Sequence, residues 1–151
     1  MTGEVDSPDA LVHTAEDEVR RGADFVKVMA SGGALTPGSD PRRCQFEAPA
    51  LTHLVARAHA LGRRVAAHAH ATASIRASLA AGVDTIEHAT FLAPGDGGAP
   101  VLDEAVLAQL VRSRTTVVPT LAPVHGAVQA GRRTRLSRPS SSPAYEGRCC
   151  H

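Results

Sequence analysis

Three glycines, Gly22, Gly62 and Gly82, each stand between a segment with helical spacing of apolar residues and a short apolar run. The runs are Phe25-Val26-Lys27-Val28-Met29, Arg64-Val65-Ala66-Ala67-His68 and Asp84-Thr85-Ile86-Glu87-His88. A fourth run, Thr116-Val117-Val118-Pro119-Thr120, has the same character. Helix, glycine stop and strand, repeated in that order, is the grammar of βα units and predicts a parallel sheet. The runs are apolar throughout rather than alternating, as expected of strands covered on both faces. A doubly wound open sheet and a (β/α) barrel both satisfy this pattern.

The helices have their own signals. Ser7 is placed to cap, Pro8 suits a first turn and Asp9 complements the helix dipole, which predicts a helix from there to about Arg21. Leu51, Leu54, Val55, Ala58 and Leu61 recur at helical spacing and predict a helix over 47–61. Shorter helices are predicted over 72–81, with Ile75 and Leu79 inward, and over 102–112. The polar stretch 30–41, with its Gly32-Gly33 and Pro37-Gly38 pairs, is longer than a simple connection requires and reads as a functional loop.

The chemistry lies at the strand ends. Val65-Ala66-Ala67-His68-Ala69-His70 closes a buried strand with two histidines, and the next strand closes with His88. Barrel enzymes place their chemistry at strand C-termini, so the histidines favour the barrel. Neutral imidazole is a common nitrogen ligand for zinc and similar metals, and a pair on adjacent strands with a third two residues on points to a metal. Lys27, inside an apolar strand, is hard to explain as scaffold, because lysine is rarely buried without a partner. Burial favours its neutral amine, which reacts with carbon dioxide to a carbamate able to bridge two metals. The alternative is a lysine reaching from a strand end to water. Strict alternation from His88 puts Glu87 on the opposite face, towards a helix. His53 and His59 read as helix contacts, and Cys44 has no base near it in the sequence.

Bulk properties exclude several classes. The chain has 151 residues, enough for one domain with a core, and a net charge of +1 gives no reason to expect nucleic acid or a membrane. No apolar run is long enough to span a bilayer, and the acidic opening Met1–Asp6 is not a secretory signal. Three cysteines, two of them the adjacent Cys149 and Cys150, form no disulfide framework, so a cytoplasmic setting is expected.

Taken together, Gly22-Ala23-Asp24-Phe25-Val26-Lys27-Val28-Met29-Ala30-Ser31-Gly32-Gly33, Ala58 to His70, and Ala80 to His88 resemble the metal-dependent amidohydrolase superfamily, in its imidazolonepropionase and Xaa-Pro dipeptidase-like branch. The resemblance covers roughly residues 5–125. It implies α/β architecture: part of a (β/α)8 barrel, about four βα units corresponding to the family's fourth to seventh strands. It implies a divalent metal, zinc by preference, and hydrolysis of an amide, peptide or cyclic-amide C–N bond by a metal-activated water. Lys27, as a carbamate, His68 and His88 match the family's metal ligands. His70, Ser31 and Gly32 match positions on the substrate side, with Gly33 at the rim. The implied partner is a small amide or dipeptide.

The resemblance also shows what this sequence does not carry. No His-x-His pair precedes Lys27, and no aspartate follows Asp103, whereas the family has a first-strand pair and an eighth-strand aspartate. The chain therefore reads as the middle of an enzyme, inactive alone, with an inactive remnant and a half-barrel completed by a second copy or a separate chain as alternatives. A barrel segment is expected over 1–128 and a disordered tail over 129–151. The Arg, Ser and Pro bias of 132–143 resembles out-of-frame translation of GC-rich DNA; an ordinary disordered tail is the alternative.

Overall fold

The computed structural model describes Val5, 7–34, 36–95 and 99–121. The elements run α1 (Pro8–Arg20), β1 (Phe25–Met29), α2 (Ala48–Ala60), β2 (Arg64–Ala71), α3 (Thr72–Ala81), β3 (Thr85–Leu92), α4 (Glu104–Arg112) and β4 (Thr116–Val118). All lie within the first of two units, Met1–Pro119. The expected tail from 129 onward, with Cys149, Cys150 and His151, lies outside the described residues, as does His125.

The helices begin where their chemistry dictates. Ser7 Oγ accepts from the Ala10 N–H at 3.2 Å, and Pro8 occupies the first turn of α1. Asp103 caps α4, its Oδ1 accepting from the Val106 N–H at 3.0 Å, so α4 starts two residues later than the apolar spacing alone predicts. Gly82 ends α3 in the left-handed region at φ 77°, a conformation that costs a side-chain-bearing residue free energy.

The four strands are parallel and lie in the order β1-β2-β3-β4. Consecutive order with no reversal is a barrel arc; a doubly wound sheet would reverse at a switch point. The helices pack against one another in sequence, α1 on α2, α2 on α3, α3 on α4; α1 lies against β1, α2 against β2, and α3 against both β2 and β3. Leu51, Leu54, Val65, Ile75, Val83, Ile86 and Val106 are fully buried between helices and sheet. Burying such side chains stabilises by about 1.5–3 kcal/mol each.

The other face of the sheet departs from expectation. β1 alternates: Val26 and Val28 are buried, while Phe25 is 54% and Met29 41% exposed. β4 repeats this, with Val118 41% exposed. Four strands of an arc have no strands across from them, so inner-face side chains on the outer strands β1 and β4, such as Phe25, Met29 and Val118, stay exposed. Only the centre of β2 is covered on both faces. β2 and β3 also run further than their apolar runs, to Ala71 and Leu92. The pairing slips between Ala69 and Ala71, and His88, Ala89 and Phe91 adopt φ of 72°, 48° and 55°. β4 stops before Pro119, which has no N–H for the ladder.

Candidate metal centre

β2 and β3 bring three imidazoles together at their C-terminal ends. The ring centroids of His68 and His70 are 4.6 Å apart, those of His68 and His88 4.5 Å, and those of His70 and His88 4.2 Å. One ring nitrogen of each lies within 4.8 Å of the others. His68 and His70 share a face because they are two residues apart on one strand. His88 reaches them by a different route. In the parallel register it stands beside Ala69, on the helix-facing side, while Glu87 stands beside His68. The left-handed φ of His88 breaks the alternation and turns its ring inward.

This corrects the expectation for Glu87. Its carboxylate is not turned to a helix; it forms an ion pair with the Lys27 ammonium on the inner face. Lys27 Cα stands beside Ala66 and Glu87 Cα beside His68, so the pair spans β2. Burial holds the Lys27 ammonium below its usual range, which is the desolvation expected of a lysine on this face. Alternation missed Glu87 because alternation holds only while the backbone stays extended, and nothing local in Glu87-His88-Ala89 announces the left-handed turn.

The hydrogen bonds fix the ring tautomers. His68 Nε2–H donates to Gly32 O at 3.1 Å, which leaves Nδ1 as an acceptor, and His88 Nε2–H donates to it at 3.0 Å. Thr90 Oγ1 donates to His70 O at 3.4 Å, so it accepts the His70 Nδ1–H at 2.9 Å and leaves His70 Nε2 as a lone pair. Burial, then the neighbouring His88 and His68, pushes the His70 pKa down to about 4. Burial also lowers those of His68 and His88, with Lys27 adding to both. All three rings are therefore neutral near pH 7, the form that ligates.

Ser31 and Gly32 hold this arrangement. Ser31 is fully buried; its Oγ accepts from the His70 N–H at 2.9 Å and donates to Gly32 O at 3.0 Å, and its own N–H donates to His68 O at 3.1 Å. A Cβ on Gly32 would run into the Asp40 backbone, so glycine is required for the loop to fold this closely. The loop is pinned by a bridge between Ser31 and Cys44 and by Gly32 N–H to Arg43 O at 3.3 Å. Gly33 donates its N–H to Ser39 Oγ at 2.9 Å.

The remaining polar residues serve the scaffold. His59 Nε2 and Asp84 Oδ2 are 2.8 Å apart, tying α2 to the residue before β3. His13 Nδ1–H donates to Asp9 O at 2.9 Å within α1. His13 and His53 border a cavity of about 470 Å3 between α1 and α2, which none of the three clustered imidazoles lines. Burial pushes the Cys44 thiol up, and it donates to Phe46 O at 3.1 Å, so it is not poised as a nucleophile.

The donor set fits a divalent cation. Two nitrogens on one tetrahedral zinc stand about 3.3 Å apart, from a Zn–N distance of about 2.0–2.1 Å. His68 and His88 already approach this at 3.0 Å, and one nitrogen from each of the three rings lies within 4.8 Å of the others. Imidazole donors suit zinc among the first-row metals.

Residues 2–127 match the model of the amidohydrolase family. An ochratoxinase from Aspergillus niger is 39% identical over 74 residues, covering 49% of this chain and 15% of that protein. The crystal structure of A. niger ochratoxinase superposes with a TM-score of 0.71 at 28% identity, over 84% of this chain and 27% of that one. A Xaa-Pro dipeptidase with bound methionine in its active site gives 0.72 at 26% identity, over 85% of this chain and 29% of that one. A prolidase complexed with N-methylphosphonate-L-proline gives 0.71 at 28% identity, over 85% and 29%. The chain thus spans less than a third of the length of these relatives.

Proposed function

The chain belongs to the amidohydrolase family, and on that premise we propose that its site serves metal-dependent hydrolysis of a C–N bond in a small amide, dipeptide or cyclic amide. The observation that carries the proposal is the convergence of His68, His70 and His88 at the C-terminal ends of adjacent parallel strands. A bound divalent ion, zinc by its donors, would activate water and polarise the carbonyl under attack.

The residues of this chain have separable duties in that reading. His68 and His88 hold the ion. Gly32 O fixes the His68 tautomer through Nε2–H, and Ser31 holds the strand segment that carries both β2 histidines. His70 forms the wall that faces the substrate, while Ser31 and Gly32, both buried, stand behind that wall rather than on it. A carbamate on Lys27 belongs to the two-metal form of such a site. It forms when the neutral amine adds to carbon dioxide and one N–H proton leaves, and it requires release from Glu87.

The first-strand His-x-His pair and the late aspartate are not among the 151 residues. We therefore expect no appreciable turnover from this chain alone. Replacing the corresponding four strands of a Xaa-Pro dipeptidase with residues 22–120 tests the assignment. A chimera active on dipeptides, and inactive with His68→Ala or His88→Ala, supports it. A folded, metal-loaded chimera without activity opposes it; robust metal-dependent turnover by the chain by itself overturns the expectation of inactivity.

A second reading, a half-barrel completed by a second copy or a separate chain, is favoured by the exposed inner-face residues Phe25 and Met29 on the edge strand β1. Light scattering tests it: a discrete dimer supports it, and a monomer that aggregates with no metal favours a remnant. No helix among the described residues is long and apolar enough to cross a membrane. The cysteine usage suits a cytoplasmic setting.

A further inference from the structure

We propose that the cavity between the β1–α2 loop, the start of α3 and the end of β3 is an oxyanion site. It takes a small molecule that carries a carboxylate or phosphate group, held by the Arg42, Arg43 and Arg76 guanidiniums and the first turn of α3. The inference goes beyond the hydrolytic reading and does not depend on it, because none of the three clustered imidazoles lines this cavity.

Three observations carry it. The first is shape and lining. The cavity holds about 440 Å3, within the range of small-molecule sites, and its described lining has three arginines and no carboxylate.

The second is the state of those arginines. Arg42 gives Nε and Nη2 to the Asp40 carboxylate at 2.9 and 3.1 Å, and Arg76 gives Nη2 to Asp103 at 2.8 Å. Each carboxylate is itself anchored to backbone: Asp40 Oδ1 accepts the Arg42 N–H at 2.9 Å, and Asp103 Oδ1 accepts the Val106 N–H at 3.0 Å. Both guanidiniums are thereby held in place with Nη1 still to give, and Arg76 with Nε as well. The Arg43 guanidinium makes no hydrogen bond or ion pair among the described residues. Three cations against the two carboxylates Asp40 and Asp103 leave a positive excess, gathered against mutual repulsion. Exposed ion pairs contribute too little stability to account for that gathering as scaffold.

The third is the N-terminus of α3. Its first two residues, Thr72 and Ala73, line the cavity. No side chain caps this helix: Ala71 stands at the cap position, the first turn has no acidic residue, and Ser74 Oγ donates to Ala71 O at 2.8 Å. The first N–H groups of a helix have no partner within it and favour a negative charge. Guanidinium forks and helix N–H groups are donors that match the oxygens of a carboxylate or phosphate.

Titration of the metal-stripped full chain with inorganic phosphate, glutarate and the neutral glutaramide tests this, read by calorimetry and by backbone amide shifts. The chain is expected to bind phosphate or glutarate saturably with a Kd of about 1 mM or tighter, with the Thr72 and Ala73 amides shifting as the site fills. Glutaramide should bind about tenfold more weakly or not at all, and Arg43→Met should weaken anion binding by about tenfold or more. Binding of glutarate alone supports the site with a carboxylate ligand, binding of phosphate alone supports it with a phosphate ester, and binding of both supports it for either group. Failure of both anions to bind the folded chain overturns the proposal. So does glutaramide binding as tightly as glutarate, an Arg43→Met chain that binds like the wild type, or anion-induced shifts that leave Thr72 and Ala73 unmoved. If Arg43→Met does not fold, the Thr72 and Ala73 shifts of the wild type decide.

Discussion

Removing one carboxylate should loosen the register on which the imidazole cluster depends. Asp84 sits just before β3, and its Oδ2 accepts two hydrogen bonds, from the Val65 N–H at 2.8 Å and from His59 Nε2 at 2.8 Å. Its backbone adds two more links, Asp84 N–H to Val65 O and Thr116 N–H to Asp84 O. One residue thus aligns the starts of β2, β3 and β4 and anchors α2. Asp84→Ala leaves the backbone links and removes the carboxylate. The Val65 residue is fully buried, so loss of a charge-assisted bond to its N–H should cost about 1.5–2 kcal/mol. The His59 contact is worth less, about 0.5 kcal/mol, because both side chains are more than a quarter exposed. The sum is about 2–2.5 kcal/mol, a large part of the stability of a small domain. His59→Ala alone should cost only the smaller share. Urea unfolding followed by circular dichroism reads both.

The same group sets a pH dependence. Burial raises the Asp84 carboxyl, but the bonds from His59 and Val65 outweigh it and hold it below the usual carboxylate range. A depressed carboxyl contributes stability that is complete above the unfolded value of about 3.9 and is lost as pH falls through the folded one. Wild type should therefore lose its advantage over Asp84→Ala only in strong acid. An Asp84→Ala cost below about 0.5 kcal/mol at pH 7, or a difference from wild type that does not shrink in acid, would refute the reasoning.

Three further outcomes follow from other contacts. Ile86→Ala opens a cavity under α3 at a fully buried position and should cost about 2–5 kcal/mol in urea unfolding. Ser31→Ala removes the acceptor for the His70 N–H inside the protein and should cost about 1–3 kcal/mol, read by thermal denaturation. Gly32→Ala forces the loop off the Asp40 backbone and displaces the carbonyl that orients His68; it should weaken zinc binding by about tenfold, measured by competition with a chromogenic chelator.

Much of this fold is written in local signals. Ser7-Pro8-Asp9 marks the start of α1, and Gly22, Gly62 and Gly82 end the helices before their strands. His68 and His88 were legible as strand-end histidines from the apolar runs before them. The parts that were not legible depend on tertiary geometry. The left-handed φ at His88 puts Glu87 and His88 on the same side of β3, and nothing in their own sequence requires it. The apolar faces of β1 and β4 suggested two-sided burial, but burial needs a partner layer that a four-stranded arc does not contain. The His-x-His spacing on β2 already placed His70 on the face of His68; its closeness to His88 needed the slipped pairing at the end of β3.

The most direct test of the central claim is metal content after equilibrium dialysis against zinc, for the wild-type chain and for His68→Ala and His88→Ala. The account predicts one zinc per wild-type chain and a substoichiometric amount in each variant. A wild type that retains no zinc, or a His68→Ala chain that retains a full equivalent, would contradict it.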